Sequence, residues 1–331
     1  MSGVRGRGVT YDTGARPAGR TTRPSFDPAT VREDMRVVAR DLHCTAVRIT
    51  GDDPGRLTVA AEHAADAGLE VWFSPFPCEM TEAQMLPYLV HCAARAEDLR
   101  GRGAEVVLVT GGELGIFARG FLPGDDLFAR LAGFAAPRPQ LRETLAAVPP
   151  QLNAFLNRAV AAVRGRFGGR ITYAAAPFEQ VDWTSFDIVG VDAYRDAQNA
   201  AGYRDGIRGH GRHGKPVAVT EFGCCTYRGA ADRGGRGWMV VDRTALPPRL
   251  DGAYVRDEEG QAAHLTDVLR ILGEEGVDSA FWFTFAGYAY PHDPDPRHDL
   301  DLASYGLVRV DADGRSVPKA AFHAMAAAYR E

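Results

Sequence analysis

Two glutamates stand where apolar, β-branched stretches end, and their chemistry is the most informative feature of the sequence. Glu113 closes VVLVTGGE (106–113), and Glu221 lies in VAVTEFG (217–223). A positioned carboxyl can act as an acid, a base or a nucleophile. Glycoside hydrolysis needs a pair of them, because one protonates the leaving oxygen while the other attacks or stabilises the anomeric carbon. Taken singly, either glutamate could equally well bond loop amides or pair with an arginine.

The segments that carry these glutamates belong to a regular alternation of apolar strand patterns and amphipathic helical patterns, which indicates βα units and a parallel sheet. We count eight strands with helices between them, so Glu113 ends the fourth strand and Glu221 the seventh. Eight such units predict one (β/α)8 TIM barrel spanning residues 1–331. The strands are GVTYDTG, CTAVRITG, LEVWFSPFP, VVLVTGG, RITYAAAPFE, FDIVGVDAYRD, KPVAVTEFGCC and DSAFWFTFAGY.

Two long irregular stretches interrupt this pattern, after strands four and seven. Residues 118–150 and 226–256 are rich in glycine and proline, and we interpret them as decorated βα loops. The helix after the first of them is predicted to begin near residue 151. No G-x-G-x-x-G follows the first strand, which argues against a dinucleotide-binding sheet.

In a barrel of this kind the carboxyl ends of all strands meet at one mouth, where function resides. The two glutamates are therefore expected to face one another there. Asp12, Glu179 and Asp192 also stand near strand ends, and we expect them to line the site, with loop capping as the alternative for each.

Composition excludes several classes of partner. The formal net charge is −5, and no basic block stands apart from acidic neighbours, so neither nucleic acid nor an anionic membrane is expected to bind. The N-terminus lacks the apolar core of a secretory signal, and no run is long enough to span a membrane, which predicts a cytoplasmic protein. Five cysteines without C-x-x-C spacing predict reduced thiols.

The loop PHDPDPRHDLDLAS (291–304) concentrates acidic residues and histidines. Its mixture could hold a divalent metal, but the spacing fits no ligand pattern, and we interpret it as a solvated acidic loop. No metal and no cofactor is therefore predicted. The residues concerned are His292, Asp293, Asp295, His298, Asp299 and Asp301.

At these strand ends the sequence resembles glycoside hydrolase clan A, whose retaining (β/α)8 glycosidases carry an acid/base glutamate after strand four and a nucleophile glutamate after strand seven. TEFG (220–223) is similar to the nucleophile strand. The resemblance implies that Arg48 in AVRIT and Tyr194 in VDAYR hold the nucleophile ionised, and that Trp282 in AFWFTF forms the floor under the sugar.

One position departs from the clan, which usually has asparagine before the acid/base glutamate to bond the sugar 2-hydroxyl. Here that residue is Gly112, and GGEL is most similar to a β-mannanase-like branch with GTEL. The stretches RPSFDP (23–28) and EVWFSPFP (70–77) also resemble uncharacterised bacterial proteins labelled abortive-infection proteins. Nothing in those residues implies a role in phage defence.

The resulting hypothesis is a glycosidase that cleaves a small β-glycoside by a retaining two-glutamate mechanism. Glu221 would be the nucleophile, and Glu113, in apolar surroundings with little counter-charge, would have a raised pKa and serve as acid and then base. Two alternatives stay open: a non-hydrolytic acid/base enzyme acting on a small metabolite, which Gly112 favours, and a carbohydrate-binding barrel that has lost catalysis. The oligomeric state is not readable from the sequence.

Overall fold

A computed structural model describes residues 3–330 and confirms the predicted (β/α)8 barrel. Eight parallel strands form one sheet in the order β5-β4-β3-β2-β1-β8-β7-β6. A parallel bridge between Ala175 and Val191 joins the two outer strands and closes the ring. The strands are β1 (Gly6–Asp12), β2 (Ala46–Gly51), β3 (Glu70–Pro75), β4 (Val106–Gly112), β5 (Arg170–Ala174), β6 (Val189–Asp192), β7 (Val217–Phe222) and β8 (Ser279–Trp282).

Helices follow seven of the eight strands within residues 3–330. The helices of the outer layer are α1 (Pro28–Arg40), α2 (Pro54–Asp66), α3 (Glu82–Gly101), α4 (Arg138–Arg164), α5 (Tyr203–Gly209), α6 (Glu258–Glu274) and α7 (Ala320–Arg330). Two short helices, Leu114–Phe117 and Leu127–Ala132, lie between β4 and α4. Between β5 and β6 the chain forms only a 3-10 turn at Trp183–Ser185, since this short connection leaves little room for a helix. Aspartates begin several helices: Asp27 accepts hydrogen bonds from the amides of Ala29 and Thr30, as N-caps do.

Two apolar layers hold the barrel. The larger lies between strands and helices, where for example Val47 and Ile49 of β2 share a cluster with Leu57 of α2. A smaller cluster fills the ring itself, built from inward-facing side chains that alternate with the outward ones along each strand. Its members are Ala46, Trp72, Val107, Val109, Ala174, Ile188, Ala218 and Phe281.

The decorated loops are present after β4 and β7, but the first is shorter than predicted. Helix α4 begins at Arg138 rather than near residue 151, because residues 140–148 are mostly good helix formers and Pro149 and Pro150 are accommodated inside the helix. The second insertion contains a 3-10 segment at Ala230–Val240 and a two-stranded ribbon.

The two insertions touch one another, since the guanidinium of Arg243 lies 5.8 Å from the ring of Phe128. The loops after β4 and β7 therefore approach one another at the end of the barrel where the strands end. All five cysteines are free, as predicted, and Cys224 and Cys225 are buried after β7. Among residues 3–330 no helix is long and apolar enough to cross a membrane.

Candidate active site

Glu221 is held on both sides of its carboxylate by the two residues that the sequence associates with it. Oε1 accepts a hydrogen bond from Arg48 Nη1 at 2.6 Å, and Oε2 accepts one from the Tyr194 hydroxyl at 2.8 Å. The glutamate side chain is 16% exposed, whereas that of Arg48 is 1% exposed. Hydrogen bonds of this kind fix the orientation of the carboxyl group. Glu221 is thus a partly exposed carboxyl at the end of β7, held on both sides.

Arg48 is held in place by groups inside the barrel. It follows the inward-facing Ala46 by two residues on β2, so its side chain enters the ring one layer nearer the mouth. Its Nε donates to Ser74 Oγ at 3.1 Å, and Nη1 also donates to the Thr220 carbonyl at 3.3 Å. The guanidinium is therefore a fixed cation beneath Glu221.

Glu113 owes its position to an irregular end of β4. Pairing with β5 shifts register between Val109 and Gly112. Gly111 has φ +112° and Glu113 has φ 46°, a region that non-glycine residues rarely occupy. The Glu113 amide donates to the Ala174 carbonyl at 2.8 Å, which fixes the turn. Strained backbone of this kind is concentrated at functional sites.

The Glu113 carboxyl has none of the support given to Glu221. Within residues 3–330 it makes no ion pair and accepts no side-chain hydrogen bond. Burial raises its pKa well above the usual range, and the nearby carboxyls of Asp192 and Glu221 raise it further, whereas Arg48 opposes the shift. The two glutamates thus have unequal support: Glu221 is bonded by Arg48 and Tyr194, whereas Glu113 is bonded by neither.

Glu179 supports the loop that follows Glu113 and does not face the mouth. Its side chain is fully buried, and its oxygens accept hydrogen bonds from the amides of Gly115 at 2.7 Å and Ala176 at 2.8 Å. The Tyr173 hydroxyl donates to the same carboxyl at 2.9 Å and accepts from the amide of Leu114. The structure therefore favours the loop-capping alternative for Glu179, which joins its own segment after β5 to the loop after β4 through the amide of Gly115.

Asp192 and Asp12 occupy different surroundings. Asp192 pairs in register with Glu221 and is 2% exposed; its Oδ1 accepts from the Thr220 hydroxyl at 2.6 Å, while Oδ2 is buried without a partner. Burial and the Glu221 charge raise its pKa. Asp12 accepts from the Gly14 amide at 2.8 Å and so holds the loop after β1. Asp192 belongs beside the glutamate pair as a buried neighbour, whereas Asp12 acts in its own loop.

The structure does not bring Trp282 to the mouth. Its indole is fully buried, lies edge-on to Phe222 at 5.4 Å and donates to the Tyr305 carbonyl. Side chains alternate along β8, so Phe281 fills the ring and Trp282 belongs to the layer between strands and helices. Phe283, just beyond the strand, is partly buried in one cluster with Tyr194. Strand parity was the sequence signal that could have shown that Trp282 faces away from the ring interior.

The acidic loop is solvated only in part, because residues 294–297 are exposed whereas residues 299–304 are buried. Asp299 accepts from Arg256 at 2.8 Å and lies 2.9 Å from His292 Nδ1, and Asp301 accepts from Arg256 at 2.7 Å and lies 3.3 Å from Lys319 Nζ. Asp301 and Lys319 are each 1% exposed. These ion pairs tie the loop to the insertion after β7 and to the start of α7. Among the described residues no group of three or more histidine, cysteine or acidic side chains could hold a metal.

Comparison with known proteins finds similar proteins only when structures are compared. No family model and no curated protein matches the sequence. A solved GH113 beta-1,4-mannanase superposes with a TM-score of 0.66 at 15% identity, and the match covers 100% of both chains. The GH113 beta-mannanase AaManA from Alicyclobacillus acidocaldarius gives 0.63 at 17% identity, covering 100% of this chain and 98% of that one.

A third neighbour is a glycoside hydrolase family 5 enzyme from Prevotella bryantii B14, with a TM-score of 0.54 at 11% identity over 98% of this chain and 96% of the other. At such identities the likeness shows a common fold. The expected resemblance to clan A is thus confirmed for the architecture: the chain has the (β/α)8 barrel fold of these glycoside hydrolases.

Proposed function

We propose that this protein is a retaining glycosidase that cleaves a small β-glycoside, with Glu221 as nucleophile and Glu113 as acid/base. The observation that carries the proposal is the unequal support of the two carboxyls. Glu221 is bonded by Arg48 and Tyr194, while Glu113 has no cation of its own. Pairs of titratable groups whose surroundings separate their pKa values identify the acid and the nucleophile.

The reaction follows from these two states. In the first step a Glu221 oxygen bonds to the anomeric carbon, the glycosidic bond breaks, and Glu113 gives its proton to the leaving oxygen. In the second step Glu113, now a carboxylate, takes a proton from water; the resulting nucleophile attacks the anomeric carbon and releases Glu221. One proton leaves and one returns, so the enzyme ends as it began.

Burial supports the assignment of Glu113 to proton transfer. Desolvation raises the pKa of the Glu113 carboxyl and so favours its protonated form, and a protonated carboxyl can donate when the leaving oxygen develops charge. The insertions after β4 and β7 follow the two strands that carry the glutamates, and they approach one another where Arg243 lies 5.8 Å from the ring of Phe128. This arrangement suits a small substrate bound in a pocket more than a long polymer in an open groove.

The test compares Glu221→Gln with Glu113→Gln on a panel of aryl β-glycosides with good leaving groups. Glu221→Gln should abolish turnover, because no covalent glycosyl-enzyme can form. Glu113→Gln should retain the first step on activated aryl leaving groups, which need no protonation, and azide should accelerate its second step. Glu179→Gln, which changes a fully buried carboxyl, is the structural control. Its loss of activity should parallel its loss of stability and should not depend on the pKa of the leaving group.

Equal residual activity of the two variants on an activated aryl glycoside would contradict the assignment. Failure of the wild-type protein to turn over any glycoside in the panel, with no labelling of Glu221 by 2-deoxy-2-fluoro glycosides, would refute the proposed function. It would instead favour the alternative of a barrel that binds or rearranges a metabolite.

A further inference from the structure

Arg48 carries one nitrogen without a partner in the protein, and that nitrogen lies beside Gly112. Nε is bonded to Ser74, and Nη1 to Thr220 and Glu221. Nη2 donates no hydrogen bond to any residue in the described part of the chain. The Arg48 side chain as a whole is 1% exposed, but Nη2 is not among the completely buried polar atoms that lack a partner. Nη2 therefore keeps a small accessible surface, on the guanidinium that bonds the proposed nucleophile.

Gly112 makes this position of the guanidinium possible. A Cβ atom on Gly112 would stand 3.0 Å from Arg48 Nη2 and 3.3 Å from the Ala174 Cβ. Contacts this short require the neighbour to shift by a few tenths of an ångström, and the Arg48 guanidinium is held by three hydrogen bonds inside the ring. The lack of a side chain at Gly112 thus leaves the space beside Nη2 of Arg48 open.

We propose that Arg48 has a second role, in which Nη2 donates a hydrogen bond to the 2-hydroxyl of the sugar that Glu221 attacks. The inference rests on the proposed function and adds its substrate class, a glycoside with a free hydroxyl at C2. In this way the arginine replaces, from the neighbouring strand, the polar contact that a side chain at position 112 would otherwise supply.

Chemistry selects the 2-hydroxyl among the groups near the anomeric carbon. Within the sugar ring, the anomeric carbon is bonded to two atoms, the ring oxygen and C2. Positive charge develops on the ring oxygen in an oxocarbenium-like transition state, so a guanidinium beside it would oppose the reaction. A hydroxyl at C2 can accept from Nη2, and contacts at this hydroxyl strengthen in the transition state. Productive binding therefore places C2 toward Arg48.

The experiment measures how much the 2-hydroxyl of the substrate accelerates catalysis, in the wild type and in Gly112→Ala. The probes are 4-nitrophenyl β-glucoside and β-mannoside and the corresponding 2-deoxy-arabino-hexoside, which is the 2-deoxy form of both. If another sugar is preferred in the aryl glycoside panel, its own 2-deoxy partner is used. The quantity compared is kcat/KM for the hydroxylated substrate divided by kcat/KM for the deoxy substrate.

In the wild type this ratio should be on the order of 100 or more. In Gly112→Ala it should fall by about tenfold, the value of roughly one hydrogen bond, because the added methyl group displaces Nη2. Gly115→Ala is the matched control. Its Cβ would crowd a different group, Glu179 Oε1, by the same 3.0 Å, so it should change both substrates alike and leave the ratio as it is.

An unchanged ratio in Gly112→Ala, measured with an active enzyme, would overturn the role of Nη2 while leaving the two-glutamate mechanism intact. A wild-type ratio near one would overturn it as well. Absence of turnover and of Glu221 labelling across the whole panel would refute the proposed function, and this inference with it. A fall confined to Gly112→Ala supports both.

Discussion

The fully buried carboxyl of Glu179 predicts a measurable pH dependence of stability. Burial raises its pKa from the ordinary value of 4.5 to about 7, although the amides of Gly115 and Ala176 and the Tyr173 hydroxyl oppose the shift. The folded protein then binds a proton more tightly than the unfolded chain does. Stability from this group is therefore fully present below pH 4.5 and is lost as the pH rises toward 7.

The magnitude follows from the two pKa values. A difference of about 2.5 pH units corresponds to roughly 3.4 kcal/mol in the free energy of unfolding. About 2.4 kcal/mol of that change falls between pH 5 and pH 7.5 by the same relation. Because the side chain is fully buried, solvent does little to weaken the effect.

The assay is urea unfolding followed by tryptophan fluorescence at pH 5 and pH 7.5, with wild type compared with Glu179→Gln. The variant cannot ionise, so the difference in unfolding free energy between the two proteins should move by about 2.4 kcal/mol in favour of the variant as the pH rises. The variant should also lose about 1 to 3 kcal/mol at both pH values, since its NH2 group faces a backbone amide that needs an acceptor.

The exposed Glu143, changed to glutamine, is the control and should show no such pH-dependent difference. A constant difference between wild type and Glu179→Gln at the two pH values would refute the reasoning. It would mean that the backbone amides outweigh desolvation and keep the carboxyl ionised throughout.

Three further predictions concern the site and its frame. Burial first and Asp192 second raise the pKa of Glu113, so Asp192→Asn should move the alkaline limb of the kcat/KM profile to lower pH; an unmoved limb would count against this coupling. Tyr194→Phe removes a bond to the proposed nucleophile, and kcat/KM should fall at least about tenfold in steady-state assays, whereas a change below twofold would argue against that role. Lys319→Met leaves the buried Asp301 with one cation fewer, so the urea midpoint should drop by the equivalent of about 3 kcal/mol, and an unchanged midpoint would show that the ion pair adds nothing.

Local sequence patterns were sufficient to predict the architecture and to identify the strand ends that carry the candidate site residues. Strand and helix periodicities are properties of neighbouring residues, and in a closed parallel sheet every strand delivers its carboxyl end to the same side. Glu113, Glu221, Arg48 and Tyr194 could therefore be assigned to one region before any coordinates were known, although their roles remain proposals.

What the sequence by itself determined was thus the barrel, its order of units and the set of strand ends that share the mouth. Only the tertiary structure decided which side chains face that mouth. Trp282 is buried in the layer between strands and helices, Glu179 is bonded by the amides of Gly115 and Ala176, and Nη2 of Arg48 lies beside Gly112. These outcomes depend on strand parity, on the register shift at the end of β4 and on partners far apart in the chain, so no local pattern encodes them.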